Sequence, residues 1–336
     1  MSMGKYVLCL LALAMLLTIG VRVQGALAAW ASGEGLLVVL NKSDNTASLV
    51  NTKTLEVTAT VPTGEGPHEV AVSPDGRWAY VSNYGRRETP GHTLTVIDLA
   101  KKKSVGTIDL GDYRRPHGIV TSRDGRRLYV TCEGSQAIVV VDTERREVLH
   151  AIRTNQNVSH MIVITPDETR AYVANIGSGT VTVLDLVNRK IIKHIDVGAG
   201  AEGIDISPDG TAVYAAARAA NKLSKISTRS NTIVKQVDTE TMPIRVKVTP
   251  DGRNVLVSNA RSGTLQVFDA STLELKKRLT VGRAPIGILI EPDGQRVYVA
   301  RTMDDRVSVI DLRKWEVIGE IQPGDEPDGL GLASQK

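Results

Sequence analysis

Of the six histidines in this 336-residue chain, three fall at the same place in a repeating phrase. His68 follows Pro67, His117 follows Pro116 and His160 follows Ser159. The next repeat places Glu202 there, and the remaining three place Ile244, Ile286 and Asp328. Neutral imidazoles beside a carboxylate are donors that a divalent transition metal such as Zn, Cu, Mn or Fe accepts, at about 2.0–2.2 Å. A purely structural position in a repeat would keep one residue, whereas this one changes from unit to unit. His68, His117, His160 and Glu202 are therefore the candidate metal shell, with Glu202 also the candidate general base. The competing use is structural, since a His after Pro at a connection between units can bond a neighbouring backbone group.

A second group supplies polarity for a small anionic ligand or substrate. Arg245 stands where four other units carry Gly118, Gly203, Gly287 and Gly329, and a guanidinium suits a carboxylate. A salt bridge to a neighbouring unit is the alternative. Asp328 occupies the anchor position of the last repeat. Tyr84, Arg218, Arg301 and Cys132 lie at or just after the ends of second strands, on the same side as the anchors. A thiol there can act as ligand or nucleophile, or be buried as a small apolar group.

The elements that must position these residues are legible. Gly66-Pro67-His68-Glu69-Val70-Ala71-Val72-Ser73-Pro74-Asp75-Gly76 reads as an alternating strand and a tight turn, and Trp78 to Asn83 reads as a second strand. In this unit four strands are expected, over 69–73, 78–83, 93–99 and 104–110. The anchors are spaced by 49, 43 and then four steps of 42. The long first step holds the insertion 86–92, expected to overhang the anchor side as a lid. A period of about 40–45 residues with four strands is the blade of a β-propeller. Residues 35–64 supply three strands without an opening one, and Glu326 to Leu332 supplies an opening strand alone. Joined, they complete a blade. The expectation is an all-β chain: a seven-bladed β-propeller of four-stranded blades, closed by N-terminal strands pairing with the C-terminal strand.

The second strands read Ala79-Tyr80-Val81-Ser82-Asn83, Leu128-Tyr129-Val130-Thr131-Cys132, Ala171-Tyr172-Val173-Ala174-Asn175, Val255-Leu256-Val257-Ser258-Asn259 and Val297-Tyr298-Val299-Ala300-Arg301. Over essentially the whole mature chain this resembles the YVTN-repeat family of exported bacterial seven-bladed propellers. The repeat is structural, so the resemblance implies a fold. The propeller also resembles those of the lactonase and cycloisomerase group, streptogramin lyase and nitrous oxide reductase, which share the ring and differ in chemistry.

Residues 1–29 carry a signal-peptide pattern: Lys5, an apolar run from Tyr6 to Val21, Arg22 and the small residues Ala26-Leu27-Ala28-Ala29. The run is short for a membrane span. The expectation is a periplasmic or secreted monomer, residues 30–336, with no span in the mature chain. Cys9 lies in the run, leaving Cys132 as the one mature cysteine and no internal disulfide. The net charge of +4 permits nucleic-acid contact without favouring it. His150 and His194 fall in outermost strands and are set aside. No phosphate loop, Gly-x-Ser-x-Gly elbow, paired-Cys zinc pattern or Cys-x-x-Cys-His haem motif is present. Three functions fit: a metal-dependent hydrolase or lyase binding a small anion at the channel mouth, a metal-independent lactonase or cycloisomerase using His, Glu and Arg, or a non-enzymatic module binding protein or nucleic acid.

Overall fold

The computed structural model describes residues 35–333; the expected targeting segment, residues 1–29 with Cys9, lies outside the described residues. Seven four-stranded antiparallel sheets form a ring. Blade 2 contains Pro67–Val72, Trp78–Gly85, Pro90–Asp98 and Lys103–Asp109, in that order from the centre outward. Blades 3 to 7 repeat the arrangement and open with the inner strands Pro116–Thr121, Ser159–Ile164, Ala201–Ile206, Pro243–Val248 and Pro285–Ile290. Blade 1 is composite. Pro327–Ala333 is its inner strand and pairs antiparallel with Leu36–Asn41, which is followed by Thr46–Asn51 and Val57–Pro62. The expected closure is thus the observed one.

Small β-branched and aliphatic residues make these elements. Val, Ile, Leu and Ala fill both faces of the middle strands and pack one sheet against the next. One such cluster joins Val38, Leu40 and Leu49 of blade 1 to Val70, Val81 and Ile97 of blade 2. The turn after each inner strand is held by its own side chains. Asp75 Oδ1 accepts from the Ser73 hydroxyl (2.5 Å) and the Arg77 N–H (3.1 Å), while Ser73 Oγ accepts the Trp78 N–H (2.9 Å). Ser207 and Asp209 repeat the hydroxyl–carboxylate contact at 2.6 Å. Gly76 closes the turn at φ 70°, a left-handed conformation that glycine adopts without steric cost.

One irregularity recurs and matters for the site. In blade 2 Pro67 pairs with Asn83 and Val70 pairs with Val81, so His68 and Glu69 together oppose Ser82. The register slips at the same place in the other blades. Such a bulge re-aims side chains and leaves backbone groups without ladder partners. In blades 2, 3 and 6 a hydroxyl from the second strand fills in. Ser82 Oγ accepts the Glu69 N–H (3.0 Å), Thr131 Oγ1 the Gly118 N–H (2.8 Å) and Ser258 Oγ the Arg245 N–H (3.2 Å). The Ser or Thr of the repeated second-strand phrase therefore serves the bulge that turns the anchors inward.

Candidate metal and ligand site at the channel mouth

All seven anchor residues, His68, His117, His160, Glu202, Ile244, Ile286 and Asp328, line one cavity of about 1100 Å³ at the mouth of the central channel. The ring divides it. Blades 2 to 5 present histidines and carboxylates; blades 6 and 7 present Ile244 and Ile286.

The residue after each anchor decides what lies beneath. In blades 3, 5, 7 and 1 it is glycine. A Cβ on Gly203 would lie 2.5 Å from the Ile244 carbonyl oxygen, and one on Gly287 would lie 2.1 Å from that of Asp328. The neighbouring inner strand leaves no room. In blades 2, 4 and 6 the residue is Glu69, Met161 or Arg245, and these three meet in the channel. Arg245 Nη2 donates to Glu69 Oε1 and lies 4.0 Å from Asp328 Oδ1, while its Nη1 approaches Met161 Sδ at 3.0 Å. Arg245 is only 5% exposed. Burial works against its charge, but Glu69 and Asp328 hold it charged. The expected carboxylate clamp is thus engaged inside the protein. It closes the floor of the cavity above a smaller one in the channel, lined by aliphatic side chains such as Ile162 and Ile288 and also by Asp205 and Lys247.

Above this floor the three histidine rings are in contact, His68 edge-on to His117 and His117 tilted over His160. His68 and His117 lie 5.2 Å apart between ring centroids, and His117 and His160 lie 3.7 Å apart. His68 Nδ1–H donates to the Gly66 carbonyl (2.8 Å), which leaves Nε2 to accept or ligate. His117 is 5% exposed and its buried Nδ1 has no hydrogen-bond partner. Burial, followed by the neighbouring His160 and His68, keeps its pKa well below 6.5, so it is neutral. His160 is its opposite. Burial would lower its pKa, but Glu133 and Glu202 on its two sides carry it up to about 9. Its Nδ1–H donates to Glu133 Oε1 (2.5 Å), and Nε2 lies 3.6 Å from Glu202 Oε1.

Glu133 is the residue that sequence reasoning missed. Its Oε2 accepts the Tyr84 hydroxyl (2.5 Å), and Tyr84 stacks beside His68 with centroids 4.5 Å apart. Burial and the Glu133 charge raise the Tyr84 pKa to about 12, so the phenol keeps its proton. Burial pushes the Glu133 carboxyl up, but bonds from His160 and Tyr84 outweigh it and keep the group ionised. Ligand atoms of His117, Glu133 and His160 all lie within 4.8 Å of one another, close enough to converge on one ion. Glu202 joins from the side. Its Oε2 lies 2.9 Å from Arg218 Nη1, an ionic contact without hydrogen-bond alignment.

The signal for Glu133 was its place one residue past the second-strand end. Lys42, Tyr84, Glu133, Ile176, Arg218 and Ala260 hold that position in six blades and all line the cavity. The strand-end residue itself points away. Asn83 donates to Thr93 Oγ1 (2.9 Å), and its Oδ1 accepts the Gly64 N–H (3.1 Å), tying the hairpin to the connection between blades. Cys132 and Arg301 occupy this inner position and do not line the cavity. Cys132 is buried in the blade core, and desolvation followed by the Glu133 charge pushes its thiol up. Arg301 is held by the Val281 carbonyl (3.1 Å) and Glu320 (2.7 Å). Tyr84, Arg218, Arg245 and Asp328 do line the cavity. The insertion is shorter than expected as a loop, because the hairpin continues to Gly85 and resumes at Pro90. It stands as a rim beside His68 and Tyr84, with Arg87 facing them. His150 and His194 lie in outermost strands, as expected.

This is a seven-bladed propeller with a mixed histidine and carboxylate centre at one mouth. Residues 19–127 match the YNCE-like beta-propeller family, and residues 126–244 match the Cytochrome D1 heme domain family. No curated protein sequence matches the chain. Among solved structures, hydrazine synthase of Kuenenia stuttgartiensis is 22% identical over 79% of this chain and 88% of that one, with a TM-score of 0.69. A functionally unknown protein from Desulfotomaculum acetoxidans is 16% identical over 90% of this chain and 99% of that one, with a TM-score of 0.78. At these identities the likeness is one of fold. The findings are consistent with the YVTN-type propeller that the second strands resemble.

Proposed function

We propose that this chain is an exported propeller that binds a divalent transition metal at the channel mouth and presents it to a small anionic ligand. His117, Glu133 and His160 are the ligands, with His68 and Glu202 flanking them. The observation that carries this reading is the buried His117 Nδ1 without a partner, beside two further donors within 4.8 Å. Leaving such a nitrogen unpaired costs about 1–3 kcal/mol, and coordination would recover it. A bound metal would supply Lewis acidity and a lowered pKa of bound water. The chain's own residues then have separable roles. Tyr84 orients Glu133, and Arg218 pairs with Glu202 beside the cavity, where the carboxylate is placed to accept a proton.

The test is metal content. Purified protein is chelated, incubated with Zn, Cu, Mn or Fe, and assayed by mass spectrometry. One ion per chain is expected, lost in His117→Ala, Glu133→Ala and His160→Ala while the circular dichroism is kept. No uptake of any of the four by the unmutated protein removes the metal. Hemin belongs in the same assay, read by visible absorbance, because of the Cytochrome D1 heme domain match.

A second reading is favoured by His160, held protonated between two carboxylates and so poised as a general acid. The site would then open lactones or eliminate without metal. Turnover of a lactone that survives chelation would select it.

A further inference from the structure

The cavity has an apolar half that the metal reading does not use. Met242, Ile244, Ile286 and Met303 line the same cavity as the histidines from the side of blades 6 and 7. Ile244 and Ile286 stand at the anchor position, where blades 2 to 5 spend polar residues. Met303 is 66% exposed at the rim, although it is large and apolar. The two methionines are unbranched and adapt to the shape of an occupant. Arg261 lines the same half, and among the described residues it makes no ion pair or hydrogen bond. The neighbouring Arg283 is engaged by Asp304 at 2.6 Å, and Lys42 and Arg218, on the other side of the cavity, face Glu326 and Glu202. The Arg245 floor makes the cavity blind, so it suits a small molecule better than a strand threading the ring. Its volume of about 1100 Å³ is at the upper limit for a small-molecule site.

We infer that the ligand is an amphipathic anion. Its apolar body lies against Met242, Ile244, Ile286 and Met303, its charged group pairs with Arg261 at the rim, and its polar functional group faces the histidines. The inference rests on the proposed metal site only for which end of the ligand reacts. The charge at Arg261 and the apolar wall are features of blades 6 and 7 alone.

The test uses the full chain, once chelated and once zinc-loaded. The probe is 8-anilinonaphthalene-1-sulfonate, followed by fluorescence and displaced by competitors. Decanoate should displace it at a concentration at least about tenfold lower than decanol or acetate, since only decanoate offers both body and charge. Arg261→Gln should weaken decanoate about tenfold and leave decanol unchanged. Met303→Gln, at an exposed position, should weaken decanoate and decanol alike. Equal competition by decanoate and acetate, or no effect of either variant, overturns the inference. Chelation should change decanoate binding less than about twofold. Decanoate binding that persists in a protein taking up no metal keeps this inference and removes the metal. Metal uptake without preference for decanoate does the reverse.

Discussion

Arg245 and Glu69, 176 residues apart in sequence, meet across the central channel from blades 6 and 2. The pair spans the ring between blades that share no strand. It can form because glycine at the same position in blades 3, 5, 7 and 1 lets the inner strands close tightly, while three side chains fill the space left at the centre.

A buried pair of this kind is costly to break and cheap to replace. Arg245→Ala or Glu69→Ala should each cost about 3–5 kcal/mol, because a charge is left uncompensated. The double variant Arg245→Met with Glu69→Leu should recover part of that loss, the remainder reflecting Asp328, which also faces Arg245 at 4.0 Å and loses its cation. Urea unfolding of the four proteins checks this; a double variant no more stable than the singles contradicts it.

The glycines under the anchors should be just as intolerant. Gly203→Ala drives a methyl toward the Ile244 carbonyl and should cost about 2–3 kcal/mol. Gly111→Ala is the control for space, since nothing lies within 4 Å of its Cβ position. Its φ of 65° still strains the backbone, so a loss of about 1 kcal/mol is expected there. Thermal denaturation ranks the two.

His160 sets a pH signature. Its folded pKa of about 9 lies above the ordinary 6.5, so the native state holds the proton more tightly than the unfolded chain does. That contribution is complete below pH 6.5 and is lost as pH rises toward 9. Chelated protein should therefore lose stability between pH 6.5 and 9, and Glu133→Gln should flatten that loss. Urea midpoints at pH 6, 7.5 and 9 decide it; parallel curves for the two proteins refute the assignment.

Cys132 should be inert. It is buried and its thiol is pushed up, away from the thiolate. Iodoacetamide should leave the folded protein unlabelled and label it in urea. Cys132→Ala should keep metal uptake, which separates this residue from its neighbour Glu133.

Repetition makes the ring legible in the sequence alone. The step of 42 residues, the Pro-Asp-Gly turns and the split last blade each leave a local trace in the sequence. The anchors were legible for the same reason, because a position that breaks its own repeat is visible. What escaped was the facing of side chains near the bulge. The strand-end phrase drew attention to Cys132 and Arg301, yet alternation turns that position into the blade and gives the cavity to the next residue, Glu133. The partner of Arg245 also escaped. Which residues meet across the channel depends on the curvature of the whole ring, and no local spacing encodes that.

The innermost strand of blade 1, Pro327–Ala333, is the last of the described strands in sequence order, and it carries Asp328 into the cavity beside Arg245. The histidine arc is complete by His160, less than halfway along the sequence, but it has no enclosing wall at that point. Emergence of the chain and competence to bind are therefore separated in time. A nascent chain can hold the donor atoms long before it holds the chamber, and the last strand to arrive converts an open arc of blades into a vessel.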